Sequence, residues 1–243
     1  MSTPPLFLVD ELPSGEAFSL SGDEGRHAAR VKRLSVGEPV LVSDGRGSVV
    51  ECTVSAGRSD GLALAVVARR SVPASRPRVV VVQALPKGDR ADLAVELLTE
   101  LGADEIAPWA ASRSIVQWLG PRGVRALEKW RRTAREATKQ SRRAWLPVVA
   151  PLASTAEVAA RLAGGTGLVL HEDAPSPLAS VELPDDGELV VVVGPEGGIA
   201  PDELDDFTAV GSSLVRLGEP VLRTSTAGAA ALAVLSARLG RWA

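Results

Sequence analysis

Two glycine-bearing loops carry the residue types best suited to holding a small ligand: Gly194-Pro195-Glu196-Gly197-Gly198, and Leu217-Gly218-Glu219-Pro220-Val221-Leu222-Arg223-Thr224-Ser225-Thr226-Ala227. Each follows an apolar run, Val190-Val191-Val192-Val193 before the first and Leu214-Val215 before the second. Four β-branched residues in a row predict a strand covered on both faces, as in a parallel sheet. A glycine turn at the carboxyl end of such a strand lets backbone come close to a ligand, and open α/β sheets place their sites at that edge. A third strand, Leu168-Val169-Leu170, runs into His171-Glu172-Asp173 and ends at the same edge. Spacing excludes the usual nucleotide motifs: the Gly-Lys-Ser/Thr end of a phosphate loop and the dinucleotide Gly-x-Gly-x-x-Gly are both missing. Glu196 inside the first loop would also repel a triphosphate.

Other elements must position these loops. Val79 to Leu85 reads as the first buried strand of this domain, followed by Pro86-Lys87-Gly88-Asp89-Arg90. In the helix after it, Leu93, Leu97, Leu98 and Leu101 share a face at 3.6-residue spacing, and Gly102 ends it. Lys87 and Arg90, at the strand's carboxyl end, are candidates for RNA or a subunit partner. Between Arg122 and Arg143 there are nine Lys/Arg against two Glu, a net of +7 in a chain of net charge −3. Val124, Leu127, Ala134, Ala137 and Ser141 make a narrow packing stripe there. Lys129, Arg132, Arg135, Lys139 and Arg143 occupy another side, too unbalanced for intrahelical pairing, so a phosphate-tracking surface is expected. Ser154 or Thr155 caps a helix to about Leu162, and Pro201-Asp202-Glu203 opens another. Ala227 to Leu239 is apolar almost all round, the pattern of a buried helix or half of a subunit interface.

The first part of the chain reads differently. Residues 38–54 are two short strands around Asp44-Gly45, and Gly61 to Val67 alternates toward a third. Ahead of them, Gly25 to Leu34 reads as one helical segment bearing Arg26, His27, Arg30, Lys32 and Arg33. The Pro/Ser-rich joint Ser71 to Pro77 marks the boundary, giving domains 1–72 and 73–243. At 243 residues, 45% hydrophobic and 23% charged, the chain can build a real core in each. One cysteine, Cys52, excludes an intrachain disulfide and fits a reducing compartment. Two histidines and that thiol are too few for a dedicated zinc site, so no metal is expected. No apolar run approaches a membrane span and no basic segment leads into one at the start, so a cytoplasmic protein with no membrane partner is expected.

The two glycine loops together resemble the SPOUT class of RNA methyltransferases. Within that class, Gly-Pro-Glu-Gly-Gly followed by Leu-Gly-x-x-x-Leu-Arg-Thr-x-Thr-Ala is similar to the 16S rRNA (uracil-N3) methyltransferase family. Glu100-Leu101-Gly102, the run Glu136-Ala137-Thr138-Lys139-Gln140-Ser141-Arg142-Arg143 and the His27-x-x-x-Val31-x-Arg33 segment match it in order across the chain. The resemblance implies an α/β fold: a C-terminal SPOUT-type domain with a deep trefoil knot, and a small N-terminal PUA-like β-barrel that helps hold RNA. It implies S-adenosyl-L-methionine as cofactor, 16S rRNA of the small ribosomal subunit as partner, a homodimer, and methylation of N3 of a specific uridine. Where the family often has Glu this chain has Ser225, which puts a mechanism relying on that carboxylate in doubt.

Carried onto this sequence, the cofactor-binding residues are Leu170, His171, Gly194, Pro195, Glu196, Gly197, Gly198, Leu217, Gly218, Leu222, Arg223, Thr224, Thr226 and Ala227, with Leu217 and Leu222 placed to sandwich the adenine. Uracil N3–H is a weak acid, so transfer needs a base or a cation that stabilises charge developing on O2 and O4. Arg223 is the choice for the cation, and Glu196 and Glu172 are both base candidates. RNA contacts are expected from Arg26, His27, Arg30, Arg33, Lys87, Arg90, Arg132, Lys139, Gln140, Arg142 and Arg143. Two other functions fit parts of the pattern: a SPOUT ribose 2′-O-methyltransferase, and a non-catalytic RNA-binding or ribosome-assembly module.

Overall fold

The computed structural model describes residues 3–58 and 60–242, so the outer limits of the expected domains, residues 1 and 243, lie outside the described residues. The chain divides into two compact units: one runs to Ala74 and includes Thr138–Leu146, the other comprises Ser75–Ala137 and Pro147 onward.

In the first unit, β1 (Leu6–Leu8), β2 (Ala17–Leu20), β3 (Pro39–Ser43), β4 (Ser48–Arg58) and β5 (Gly61–Ser71) form one sheet in the order β1-β3-β4-β5-β2. The pair β1–β3 is parallel; the pairs β3–β4, β4–β5 and β2–β5 are antiparallel. Alternate residues Val40 and Val42, Val50, Cys52 and Val54, Leu62 and Leu64 fill the core, as a two-residue period requires. The turn from β3 to β4 is longer than an Asp-Gly pair: Asp44 Oδ1 accepts from Arg46 N–H at 2.8 Å and Ser48 N–H at 3.1 Å. The basic segment is helical, α1 (Gly22–Arg26) passing into a π-helical turn at His27–Val31, and Arg33 leaves it at φ 53°.

The second unit holds β6 (Arg78–Ala84), α2 (Arg90–Glu100), β7 (Glu105–Trp109), α3 (Gly120–Ser141, its last turn grouped with the first unit), β8 (Val148–Val149), α4 (Thr155–Leu162), β9 (Thr166–Leu170), β10 (Ser176–Pro177), β11 (Glu188–Val193), α5 (Pro201–Ala209), β12 (Ser213–Arg216) and α6 (Thr224–Arg238). Its seven strands are ordered β10-β12-β9-β11-β6-β7-β8, every pair parallel. Residues 189–193 of β11 are buried throughout because both faces are covered. Val191 and Val193 join Val95, Leu98, Trp130, Leu232 and Leu235 in one layer. Val190 and Val192 join Val158, Leu162 and Phe207 in the other. Each fully buried aliphatic side chain contributes about 1.5–3 kcal/mol by leaving water.

Helix details differ from the sequence reading in two places, and in a third the structure chooses between its two alternatives. On α2 the buried residues are Ala94, Val95, Leu98 and Thr99, while Leu93 is 39% exposed; the helix starts at Arg90 and its packing stripe is turned by one residue. On α3 Val124 is exposed, and the buried face centres on Trp130, Ala134 and Ala137, with Trp130 edge-on to Trp118 at 5.0 Å. At the start of α4 Ser154 is the cap, its N–H bonded to Glu157 Oε2 at 2.8 Å; the Thr155 hydroxyl instead donates to Glu203 Oε1 at 2.9 Å.

The amino-terminal edge of this sheet is closed by charge. Arg78 pairs with Glu105 and Glu188 at 2.6 Å each, and Arg161 pairs with Glu188 at 3.1 Å and with Glu105. Burial pushes Glu188 up, but hydrogen bonds from Arg161 and Arg78, with their charges, outweigh it and hold the carboxyl below its ordinary value. Among the described residues, no helix is long and apolar enough to cross a membrane.

Candidate cofactor site

At the opposite, carboxyl edge, the loops after β6, β9, β11 and β12 and the first turn of α6 enclose a cavity of about 950 Å³. Leu170, Val193, Ile199, Val215, Leu217 and Leu222 give it apolar walls. Four cations, Lys87, Arg90, Arg216 and Arg223, face three carboxylates, Asp89, Glu172 and Glu196, so the charge around it is nearly balanced. That balance suits a ligand bearing charges of both signs better than a polyanion.

Local chemistry shapes each wall. After β11, Gly198 N–H donates to Pro195 O at 2.9 Å and Gly198 sits at φ 74°, which only glycine adopts without strain. A Cβ on Gly194 would lie 2.7 Å from Ile199 Cγ1, so the loop folds tightly onto its own exit. Glu196 Oε1 accepts Lys87 N–H at 3.1 Å. After β9, His171 N–H donates to Val215 O at 3.0 Å, and its ring Nδ1 accepts Asp173 N–H at 3.2 Å, which leaves Nε2 as the donor position. Arg223 is the N-cap residue of α6, and its carbonyl accepts Thr226 N–H at 2.8 Å and Ala227 N–H at 2.9 Å.

Of the residues expected to bind cofactor, Leu170, His171, Gly194, Pro195, Glu196, Gly198, Leu217, Gly218, Leu222, Arg223, Thr224 and Ala227 line this cavity, as do Glu172, Lys87 and Arg90. Gly197 and Thr226 do not. A Cβ on Gly197 would meet the stem of Arg113, 3.3 Å away, and the Thr226 hydroxyl turns back to Arg223 O at 3.1 Å. Arg216 lines the cavity and was missed, although its place at the end of the Leu214-Val215 strand is the signal that could have found it. Arg113 donates through Nη1 to Gly197 O at 3.3 Å, from an aperiodic stretch that carried no signal.

The expected RNA contacts divide by surroundings. Arg30, Arg33, Arg132 and Gln140 are exposed. Arg26 is bonded to Asp23, and His27 is half-buried with its ring 6.3 Å from Phe7. Lys139 is no open surface cation: it is 11% exposed and pairs with Glu24 at 3.2 Å. Arg142 donates to Pro4 O at 2.9 Å and Thr3 O at 3.1 Å, and Arg143 is half-buried.

A parallel α/β sheet with a cofactor-sized cavity at its carboxyl edge, in a chain that also carries a small β unit, has counterparts among known proteins. The family model described as an RNA methyltransferase domain matches residues 73–236, and that of an RNA methyltransferase PUA domain matches residues 20–67. The ribosomal RNA small subunit methyltransferase E of Mycobacterium bovis is 46% identical over 243 residues, covering 98% of this chain and 93% of its own. Its namesake in Bacillus subtilis is 28% identical, covering 94% and 91%. The crystal structure of a ribosomal RNA small subunit methyltransferase E from Neisseria gonorrhoeae bound to S-adenosyl methionine superposes with a TM-score of 0.87 at 26% identity, over 97% and 98% of the two chains. The chain belongs to the RNA methyltransferase family, in its ribosomal RNA small subunit methyltransferase E branch.

Proposed function

We propose that this protein is an S-adenosylmethionine-dependent methyltransferase acting on N3 of one specific uridine in 16S rRNA of the small ribosomal subunit. The cavity at the carboxyl edge carries the reading, in a chain that matches a small-subunit rRNA methyltransferase along nearly its whole length. The residues present fit the cofactor: apolar walls at Leu170, Leu217 and Leu222 suit an adenine, and Glu172, Arg223 and Thr224 offer charge and hydrogen bonds in the same lining. When bound, S-adenosylmethionine supplies a sulfonium-activated methyl group, electrophilic enough to need no metal and no covalent enzyme nucleophile.

The chain's own work is to hold both partners and manage one proton. The N3 proton must leave for the N3–methyl bond to form; its departure puts negative charge on O2 and O4, which the new bond then consumes. The exposed Arg223 at the cavity is placed to stabilise that charge. Glu172, at the end of β9, is a carboxylate within the same cavity that can accept the proton. Residues 1–72 act as the RNA-binding domain and 73–243 as the methyltransferase domain, with its loops threaded as a trefoil knot, in the cytoplasm. A homodimer packs through α6, whose Ala230, Ala233 and Val234 remain half-buried along one face. Mass mapping of ribosomal RNA nucleosides from cells lacking and regaining the protein tests the reading. N3-methyluridine should disappear and return; loss of a 2′-O-methyl mark instead, or of no mark, contradicts it.

A further inference from the structure

We infer that Glu196 and Arg113 are positioning residues that clasp the Gly194–Gly198 loop from its two flanks, and that Glu196 is not the acceptor of the N3 proton. The inference rests on the methyltransferase reading of the cavity. On one flank, the Glu196 carboxylate accepts the Lys87 N–H at 3.1 Å, which ties the glycine loop to the loop after β6 that forms the facing wall. On the other, Arg113 Nη1 donates to Gly197 O at 3.3 Å. The stem of Arg113 lies against Gly197, so that a Cβ there would meet Arg113 Cβ at 3.3 Å and its carbonyl at 3.4 Å.

Arg113 is itself anchored. The Ser112 N–H donates to Glu203 Oε1 at 2.8 Å, and Glu203, 3% exposed, also takes the Ala200 N–H on Oε2 at 3.2 Å. One buried carboxylate thus fixes both the arginine's own loop and Ala200, two residues past the glycine loop. Between the two ties the loop is closed by its internal Pro195–Gly198 bond. Glycine-rich backbone has much conformational freedom to lose on ligand binding, and holding it in place beforehand raises affinity. Holding Lys87 N–H needs an oxygen acceptor, not a base, and a glutamine supplies one.

The test uses the full chain and four variants: Glu196→Ala, Glu196→Gln, Arg113→Ala and Arg113→Lys. Calorimetry with S-adenosylmethionine alone should show both alanine variants binding about three- to tenfold more weakly, the scale of one hydrogen bond. Glu196→Gln should recover most of that loss and keep the shape of the pH–rate profile; Arg113→Lys should recover part. Glu196→Gln that binds cofactor well yet loses turnover about a hundredfold, with its acid pH limb gone, would make Glu196 the proton acceptor and overturn the assignment. Arg113→Ala that leaves cofactor affinity untouched and weakens RNA binding would make Arg113 a substrate contact. Hydrogen exchange at residues 194–198 in the cofactor-free chain separates the clasp from the parent reading. Faster exchange in both alanine variants supports the clasp even if the wild type binds no S-adenosylmethionine, and wild-type exchange rates overturn it.

Discussion

The two edges of the seven-stranded sheet use the same residue types to opposite ends. At the amino edge Arg78 and Arg161 are both spent on Glu105 and Glu188, and the four side chains satisfy one another. At the carboxyl edge Arg216 and Arg223 are exposed beside a cavity, among glycine turns and apolar walls. A matched charge cluster orders strands, and breaking it leaves a buried charge uncompensated. An arginine held beside a cavity is available to charge that develops on a substrate. The difference locates function by what a charge faces, not by which charge it is.

Arg223→Ala should give the largest effect. Turnover should fall about 10²–10³-fold, the scale of one lost transition-state donor, while RNA affinity stays near normal. Raising pH should restore part of the loss, because hydroxide then helps remove the N3 proton; single-turnover rates across pH read this. Equal losses of RNA affinity and rate without pH rescue would make Arg223 a substrate anchor and blur the contrast between the edges.

Glu105→Ala probes the other edge. It should destabilise the fold by about 3 kcal/mol, the low end of the range for a broken buried pair, since Arg78 keeps 38% of its side chain in solvent. Cofactor affinity of the folded protein should hold, as calorimetry and urea unfolding together can show. The Glu188 carboxyl, held below its ordinary value of 4.5, contributes stability that is complete above that value and lost as pH falls through the folded one. Glu188→Gln should flatten that acid limb of the unfolding midpoint.

The smallest effect separates two cations of α3. Arg132→Ala, at an exposed site, should lower the log–log salt slope of RNA binding by about one unit, as for one lost phosphate contact. Lys139→Met should leave that slope alone and lower the stability of the first unit, because Lys139 is spent on Glu24. Equal slopes for both variants would return Lys139 to the RNA surface.

Much of this was legible in the chain because it is local. Val190 to Val193 declared a doubly covered strand through unbroken β-branching, and the glycines after it declared a site at its end. The run between Arg122 and Arg143 declared a basic helix. Long-range pairing was not legible: Glu24 lies far from Lys139 in sequence, and nothing in either segment announces that they meet. The stripe on α2 was misplaced because leucines outweigh the smaller Ala94 and Val95 that do the packing, while Leu93 turns to the cavity. Arg113 sits in a stretch without periodicity, and its role depends on Glu203, fixed by the start of another helix.

Ala227 lines the cavity from the first turn of α6 without taking part in any loop turn, so a larger side chain there fills the space and leaves the loops alone. Titration of S-adenosylmethionine into the wild type and Ala227→Phe, with thermal unfolding run alongside, is therefore the most direct measurement. One molecule should bind per wild-type chain, and Ala227→Phe should weaken binding at least about tenfold, some 1.4 kcal/mol, at an unchanged Tm. Equal affinity for the two proteins would place the methyl donor elsewhere and contradict the account.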